Sequence, residues 1–162
     1  MPTPLTIFGQ TVSGTFVFEQ VRSTGPDGLL NTSDDTKTLK IAVSNLDLQL
    51  GTDDAGVHIT NGTAKLLLTP EGVAGLITAH AALHLSTLAS AEGDVSVTVN
   101  TMMRNNAPIA VDEDFTVNGT TETLSLEAGH YIRVALTGLT ISILGQTVRG
   151  DFTVERFTDF GD

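Results

Sequence analysis

The stretch "IFGQTVSGTFVFEQ" (7–20) returns near the other end of the chain as "ILGQTVRGDFTVER" (143–156), with eight of fourteen positions identical at a constant offset of 136. In the first copy Val12, Phe16 and Phe18 share one parity with Gly14 between them, and Thr11, Thr15 and Glu19 take the other. In the second copy Val148, Phe152 and Val154 repeat the apolar row against Arg149, Asp151, Thr153 and Glu155. Period-two alternation rich in Val, Phe and Thr predicts strands with one face turned inward. "GDVSVTVN" (93–100) is a third stretch of the kind, with Val95, Val97 and Val99 opposite Asp94, Ser96 and Thr98. A chain that ends by starting again reads as one full unit, 1–142, followed by the opening strand of the next, 143–162.

A second internal pair sharpens this reading. "KIAVSNLDLQL" (40–50) aligns with "RVALTGLTISI" (133–143). The apolar row runs through Ile41 and Val43, then switches parity to Leu46, Leu48 and Leu50. Its partner switches the same way, from Val134 and Leu136 to Leu139, Ile141 and Ile143. A row changes parity and stays on one face only where an extra residue is inserted, which is a β-bulge. The switches fall at Ser44-Asn45 and Thr137-Gly138, and Asn and Gly best tolerate positive φ.

Asn61-Gly62 and Asn118-Gly119 sit between strand-like flanks and predict two-residue type I′ hairpin turns. The stretches 51–56 and 127–131 read as further connections. Residues 69–93 admit two readings: a strand preceded by a short helical turn, or a full helix with Thr69 as N-cap and Pro70 in its first turn. Gly72, Gly75 and the alternation of Leu83 and Leu85 favour the strand. The expected fold is therefore all-β: an antiparallel sandwich or elongated roll of about nine long, bulged strands, of tandem-repeat type.

Composition sets limits on function. The 162 residues carry 40% hydrophobic and 17% charged side chains, no cysteine and a formal net charge of −11. That is apolar enough for a folded core. Eight scattered Lys and Arg do not make a phosphate-binding patch, so nucleic acid is not expected as a partner. Without Cys there are neither disulfides nor thiolate metal sites. No 18-residue apolar run is present, so membrane insertion is not expected. The opening "MPTPLTIFG" lacks the pattern of a signal peptide, and Met1 fits the start of an excised fragment.

The densest polar loop is "TGPDGLLNTSDDTK" (24–37), where Asp27, Asn31, Asp34 and Asp35 offer hard oxygen ligands of the kind calcium takes. The pattern departs from an EF-hand loop at Leu29, and no Glu closes it. The competing reading is a solvated hairpin loop whose Asp and Asn side chains cap turns. The C-terminal "TDFGD" aligns with the start of this loop, Gly161 on Gly25. Asp112 with Asp114, and Asp53 with Asp54, are acidic pairs that read chiefly as a soluble rim, or as partners in a shared cation site. His80 and His84 would form half a zinc site on a helix but lie roughly 13 Å apart on a strand. A sugar-binding sandwich would need aromatic platforms, and Tyr131 and Phe115 are the only plausible ones. No nucleophile elbow, phosphate loop or dinucleotide fingerprint is present, so no enzyme is expected.

With "GQTVxGxFxxE", "VSNLDLQLG", "ITNGTAKLLLTPEGVAG" and "FTVNGTTETLSLEAGHYIRVALTGL" assembled, the chain resembles a tandem β-repeat module of giant bacterial secreted or cell-surface proteins, of the RTX-related, adhesin-like kind. The resemblance implies an extracellular or cell-surface location and a structural or adhesive role. Its implied partners are neighbouring repeats, identical subunits, or a surface or glycan target, and calcium is its usual companion.

Overall fold

A computed structural model describes residues 5–7 and 9–158 and contains no helix among them. Twelve strands follow one another: β1 (Leu5–Ile7), β2 (Gln10–Ser23), β3 (Thr36–Gly51), β4 (Gly56–Thr69), β5 (Gly72–Ser86), β6 (Ala89–Asn100), β7 (Met103–Arg104), β8 (Ala107–Pro108), β9 (Val111–Val117), β10 (Thr120–Leu126), β11 (Tyr131–Ile143) and β12 (Gln146–Phe157). Eight form one open antiparallel sheet in the order β1-β2-β3-β4-β5-β6-β11-β12. The fold is all-β, as the alternation predicts. Residues 72–86 are strand, entered by a tight turn at Pro70-Glu71 and not by a helix.

Between β6 and β11 the chain makes a long excursion out of the sheet. That excursion carries the small β7–β8 pair and the β9–β10 hairpin. The hairpin turns at Asn118-Gly119, where Val117 faces Thr120 and both central residues have positive φ (52° and 76°), as a type I′ turn requires. It forms the second layer of the fold, two strands against eight. Phe115, Leu124, Val111 and Leu126 press on Ala42 of β3, Leu67 of β4, Ala74 of β5 and Met102, and all eight are buried. Small Ala side chains on the sheet let the bulky hairpin side chains come close, which is how a two-strand layer excludes water.

Two lysines on the same face reach up to the hairpin. Lys40 meets Glu113 at 2.7 Å and Lys65 meets Glu122 at 2.6 Å. Lys40 also lies over the Phe115 ring, 5.7 Å from its centroid. Asn100, fully buried, fixes the excursion at its root. Its side-chain amide donates to the carbonyls of Ile109 (3.0 Å) and Glu127 (2.9 Å), and its side-chain oxygen accepts from the Met102 amide (3.0 Å).

The covered face is not the one the alternation singles out. Val17, Ala42, Lys65 and Leu76 align across neighbouring strands on the hairpin side. The bulky row predicted to point inward lies on the other side, and Phe18, Phe152 and Val154 are 67%, 52% and 70% exposed. Alternation reports that a strand has two unlike faces. It does not report which face the chain's own second layer will cover.

Both predicted bulges are present. On β3, Asn45 adopts φ 52° where Ser44 and Leu46 flank an extra residue opposite Gly14. On β11, Gly138 adopts φ 63° opposite Gly93 of β6 and Asp151 of β12. Asn61-Gly62 is a third bulge and not the expected hairpin turn, since Thr60 pairs with His80 and Thr63 with Thr78 across an uninterrupted β4. The Asn-Gly dipeptide suits any site needing positive φ, and Asn61 (φ 53°) uses that freedom within a strand.

Candidate functional site

The β2–β3 loop gathers the densest set of oxygens. Asp27 closes an Asx turn, accepting from the Leu29 amide at 2.8 Å. Asp34 accepts from the Asp27 amide at 3.4 Å, and Asp35 from the Asn31 amide at 2.6 Å. All three carboxylates converge on the Thr32 hydroxyl, with oxygens of Asp34, Asp35 and Asp27 at 2.8, 3.2 and 3.4 Å. The Leu29 carbonyl stands 3.1 Å from the same hydroxyl. One hydroxyl donates one proton, so four acceptors share it. The Thr32 hydroxyl above all holds the Asp34 carboxyl below its usual value, against the opposing effect of desolvation, with lesser help from the Asp27 and Asp34 amides.

Of the four predicted ligands, Asp27, Asp34 and Asp35 come together. Asn31 does not. Its side-chain carbonyl turns away to accept from Arg22 at 3.0 Å, and its backbone takes φ 69°. Thr32 stands at the centre instead, a residue sequence reasoning passed over because a hydroxyl is a weak sign among carboxylates. Gly25 is required here for space, since any Cβ would overlap the Asp34 carboxylate. Among the described residues, no three His, Asp or Glu side chains form a ready-made metal cage. The loop offers a concentration of oxygens, not a finished coordination shell. Gly161 and the rest of the C-terminal "TDFGD" beyond Thr158 lie outside the described residues.

The other candidates disperse. Asp112 borders a cleft of about 360 Å³ beside Thr36, at the start of β3, whereas Asp53 and Asp54 follow its far end at Gly51. Asp114 accepts from Thr123 across the hairpin at 2.6 Å. The acidic pairs therefore do not build one site. His80 lies on a strand and meets Asp94 of β6 at 2.9 Å, and His58 meets Asp47 at 3.2 Å. The two candidate sugar platforms are both in the interior: Phe115 is 2% and Tyr131 4% exposed. Lys40 covers the first ring and Arg133 the second, so neither offers a face to a ligand.

The cleft beside Thr36 is lined by Leu67, Met102, Ile109 and Val111, with Glu71 and Arg104 at its side. That pair is bidentate, at 2.7 and 2.9 Å. The Arg104 hydrogen bonds, more than its charge, hold the Glu71 carboxyl below the usual Glu value.

The edges of the sheet hold the most informative geometry. In the β1–β2 hairpin Leu5 faces Val12, Thr6 faces Thr11 and Ile7 faces Gln10. In the β11–β12 hairpin Ile141 faces Val148, Ser142 faces Thr147 and Ile143 faces Gln146. Every pair in the first maps onto the second at the offset of 136. The bulges repeat as closely. A Cβ on Gly14 would meet the Leu46 Cα at 3.3 Å and the Ser44 carbonyl at 3.4 Å. A Cβ on Gly93 would meet the Leu139 Cα at 3.1 Å and the Thr137 carbonyl at 3.3 Å. The β6–β11 pair thus reuses the device of β2–β3.

No family model, curated protein or solved structure matches the chain. Its own internal likenesses carry the functional argument.

Proposed function

We propose that the chain is a non-catalytic structural or adhesive unit of a large extracellular or cell-surface bacterial protein, in which successive units share one continuous β-sheet. The observation that carries this is the common register of the β1–β2 and β11–β12 hairpins at the two edges of one sheet. The three residues of β1 lie beside β2 as the last three of β11, Ile141, Ser142 and Ile143, lie beside β12. A preceding unit would supply a full β11 beside β2, and a following unit a full β3 beside β12. Stability in such arrays is the sum of each unit's own and of the interfaces between neighbours. Duplicating residues 7–142 in tandem should therefore give a protein that melts in one transition, above the single unit. Two transitions, or one at the unchanged temperature, would refute the shared sheet.

Calcium at the β2–β3 loop is the second part of the proposal. The four oxygens around one Thr32 proton support it, because a divalent cation takes several oxygen ligands where one proton serves a single acceptor well. Asp27, Asp34 and Asp35 would hold the ion and draw β2 and β3 together where both leave the sheet. A ligand at 100 times its dissociation constant adds about 2.7 kcal/mol, so calcium should raise the melting temperature by several degrees over chelator. Asp34→Asn with Asp35→Asn should abolish the gain. An unchanged melting temperature removes calcium from the account and leaves the array reading standing.

A further inference from the structure

The face of the sheet opposite the hairpin is apolar from edge to edge. One row crosses it through Phe16, Val43, Ile77, Val97, Val134 and Val154 on six different strands. The bulges keep the rows beyond them on this same face, with Leu48 opposite Val12 and Leu139 opposite Gly150. By register no Asp or Glu of the long strands falls on it. Glu19, Asp47, Glu92, Asp94, Asp151 and Glu155 all take the hairpin side. Among the described strand residues, the only charges on the apolar side are at one end, Arg22, Lys37 and Arg156.

Size decides what such a face requires. Seven long strands about 4.8 Å apart, each spanning some twelve residues at about 3.3 Å, outline a face of roughly 1,200 Å². The largest apolar patch on an ordinary monomer is about 300–600 Å², and a stable interface takes about 800 Å² from each partner. A second sheet of the same outline matches the requirement, and sheets pack face to face about 10 Å apart. The charge distribution selects the occupant. With the acidic side chains on the far side, two copies meet without like-charged carboxylates between them, whereas a net charge of −11 opposes an anionic membrane.

We infer that a second copy of this chain covers the apolar face, sheet against sheet, in a two-fold dimer centred on β5. The inference stands on the face alone and does not depend on the array reading. Ile77, midway along β5 and 39% exposed, lies near the two-fold axis and faces its own counterpart.

The absence of cysteine makes the test direct. Sedimentation equilibrium across the micromolar range should show a dimer, and Ile77→Asp should be monomeric with an unchanged far-ultraviolet spectrum. Should Ile77→Asp fail to fold, single cysteines decide: Ile77→Cys should oxidise to a covalent dimer, and Thr121→Cys on the outer side of the hairpin should not. Three results would overturn the inference: a wild-type monomer throughout the range, cross-linking through Thr121→Cys and not through Ile77→Cys, or a monomer that partitions onto neutral phosphatidylcholine vesicles.

Discussion

Removing the Asn100 side chain would take a hydrogen bond from three backbone groups at once: the Ile109 carbonyl, the Met102 amide, and the Glu127 carbonyl, which would keep only the long 3.5 Å bond from the Tyr131 hydroxyl. Buried groups that lose their partners cost about 1–3 kcal/mol each, so Asn100→Ala should lose roughly 3 kcal/mol or more in urea denaturation. The bulges make a second prediction. Asn45 and Gly138 both hold positive φ, which costs a β-branched residue about 1–2 kcal/mol. Gly138→Val should therefore destabilise by that amount, while Asn45→Gly should change stability by only a few tenths. The Glu71–Arg104 pair adds a pH dependence. Arg104 lowers the Glu71 value in the folded state, so the unfolded chain takes up the proton first as pH falls. The contribution is complete above the ordinary Glu range, near 4.5, and is lost as pH drops through the lowered folded value. Both partners face solvent, which keeps the contribution small. The stability gap between wild type and Arg104→Met should close over that acidic window.

Elements show where the sequence was legible. Paired bulges announce themselves, because Leu46 and Leu139 break an alternation that Val43 and Leu136 had established. The Asn118-Gly119 hairpin is legible for a similar reason, since an Asn-Gly dipeptide between two alternating runs has few other uses. Asn61-Gly62 carries the same letters in the same context and does something else: the dipeptide encodes positive φ, and whether the chain then reverses depends on the strands beside it. The identity of the covered face was hidden for a different reason. Hydropathy marks Phe16 and Phe18, whereas the hairpin packs on Ala42 and Ala74, whose value is their smallness. The candidate loop was legible as a group of carboxylates, but the turning away of Asn31 depends on Arg22 of β2, a neighbour only the fold supplies. The hairpin is the element on which the core depends. Phe115→Ala should cost about 3–5 kcal/mol in thermal or urea unfolding, as deletion of a fully enclosed ring does. A loss below 1 kcal/mol would mean the two-strand layer is not what holds the sheet.

At the scale of the molecule the long strands leave two kinds of unfinished surface, the backbone of the edges and the apolar face. They call for different partners. Among the described residues, the part of β2 beyond its pairing with β1 and the outer edge of β12 have no partner strand, which makes them a template for further strands. The face presents side chains and calls for another sheet. An array satisfies the first and a dimer the second, so a giant protein built of such units would be a double-layered ribbon. The most direct test of the continuous sheet is hydrogen exchange at β12 in the tandem duplication of residues 7–142. In the single chain the outward-facing amides of Gln146–Phe157 should exchange freely. In the duplicated chain the first unit's copies of those amides should become protected, as β2 is by β3. If they exchange as freely as before while the second unit is folded, the units do not share a sheet and the account is wrong.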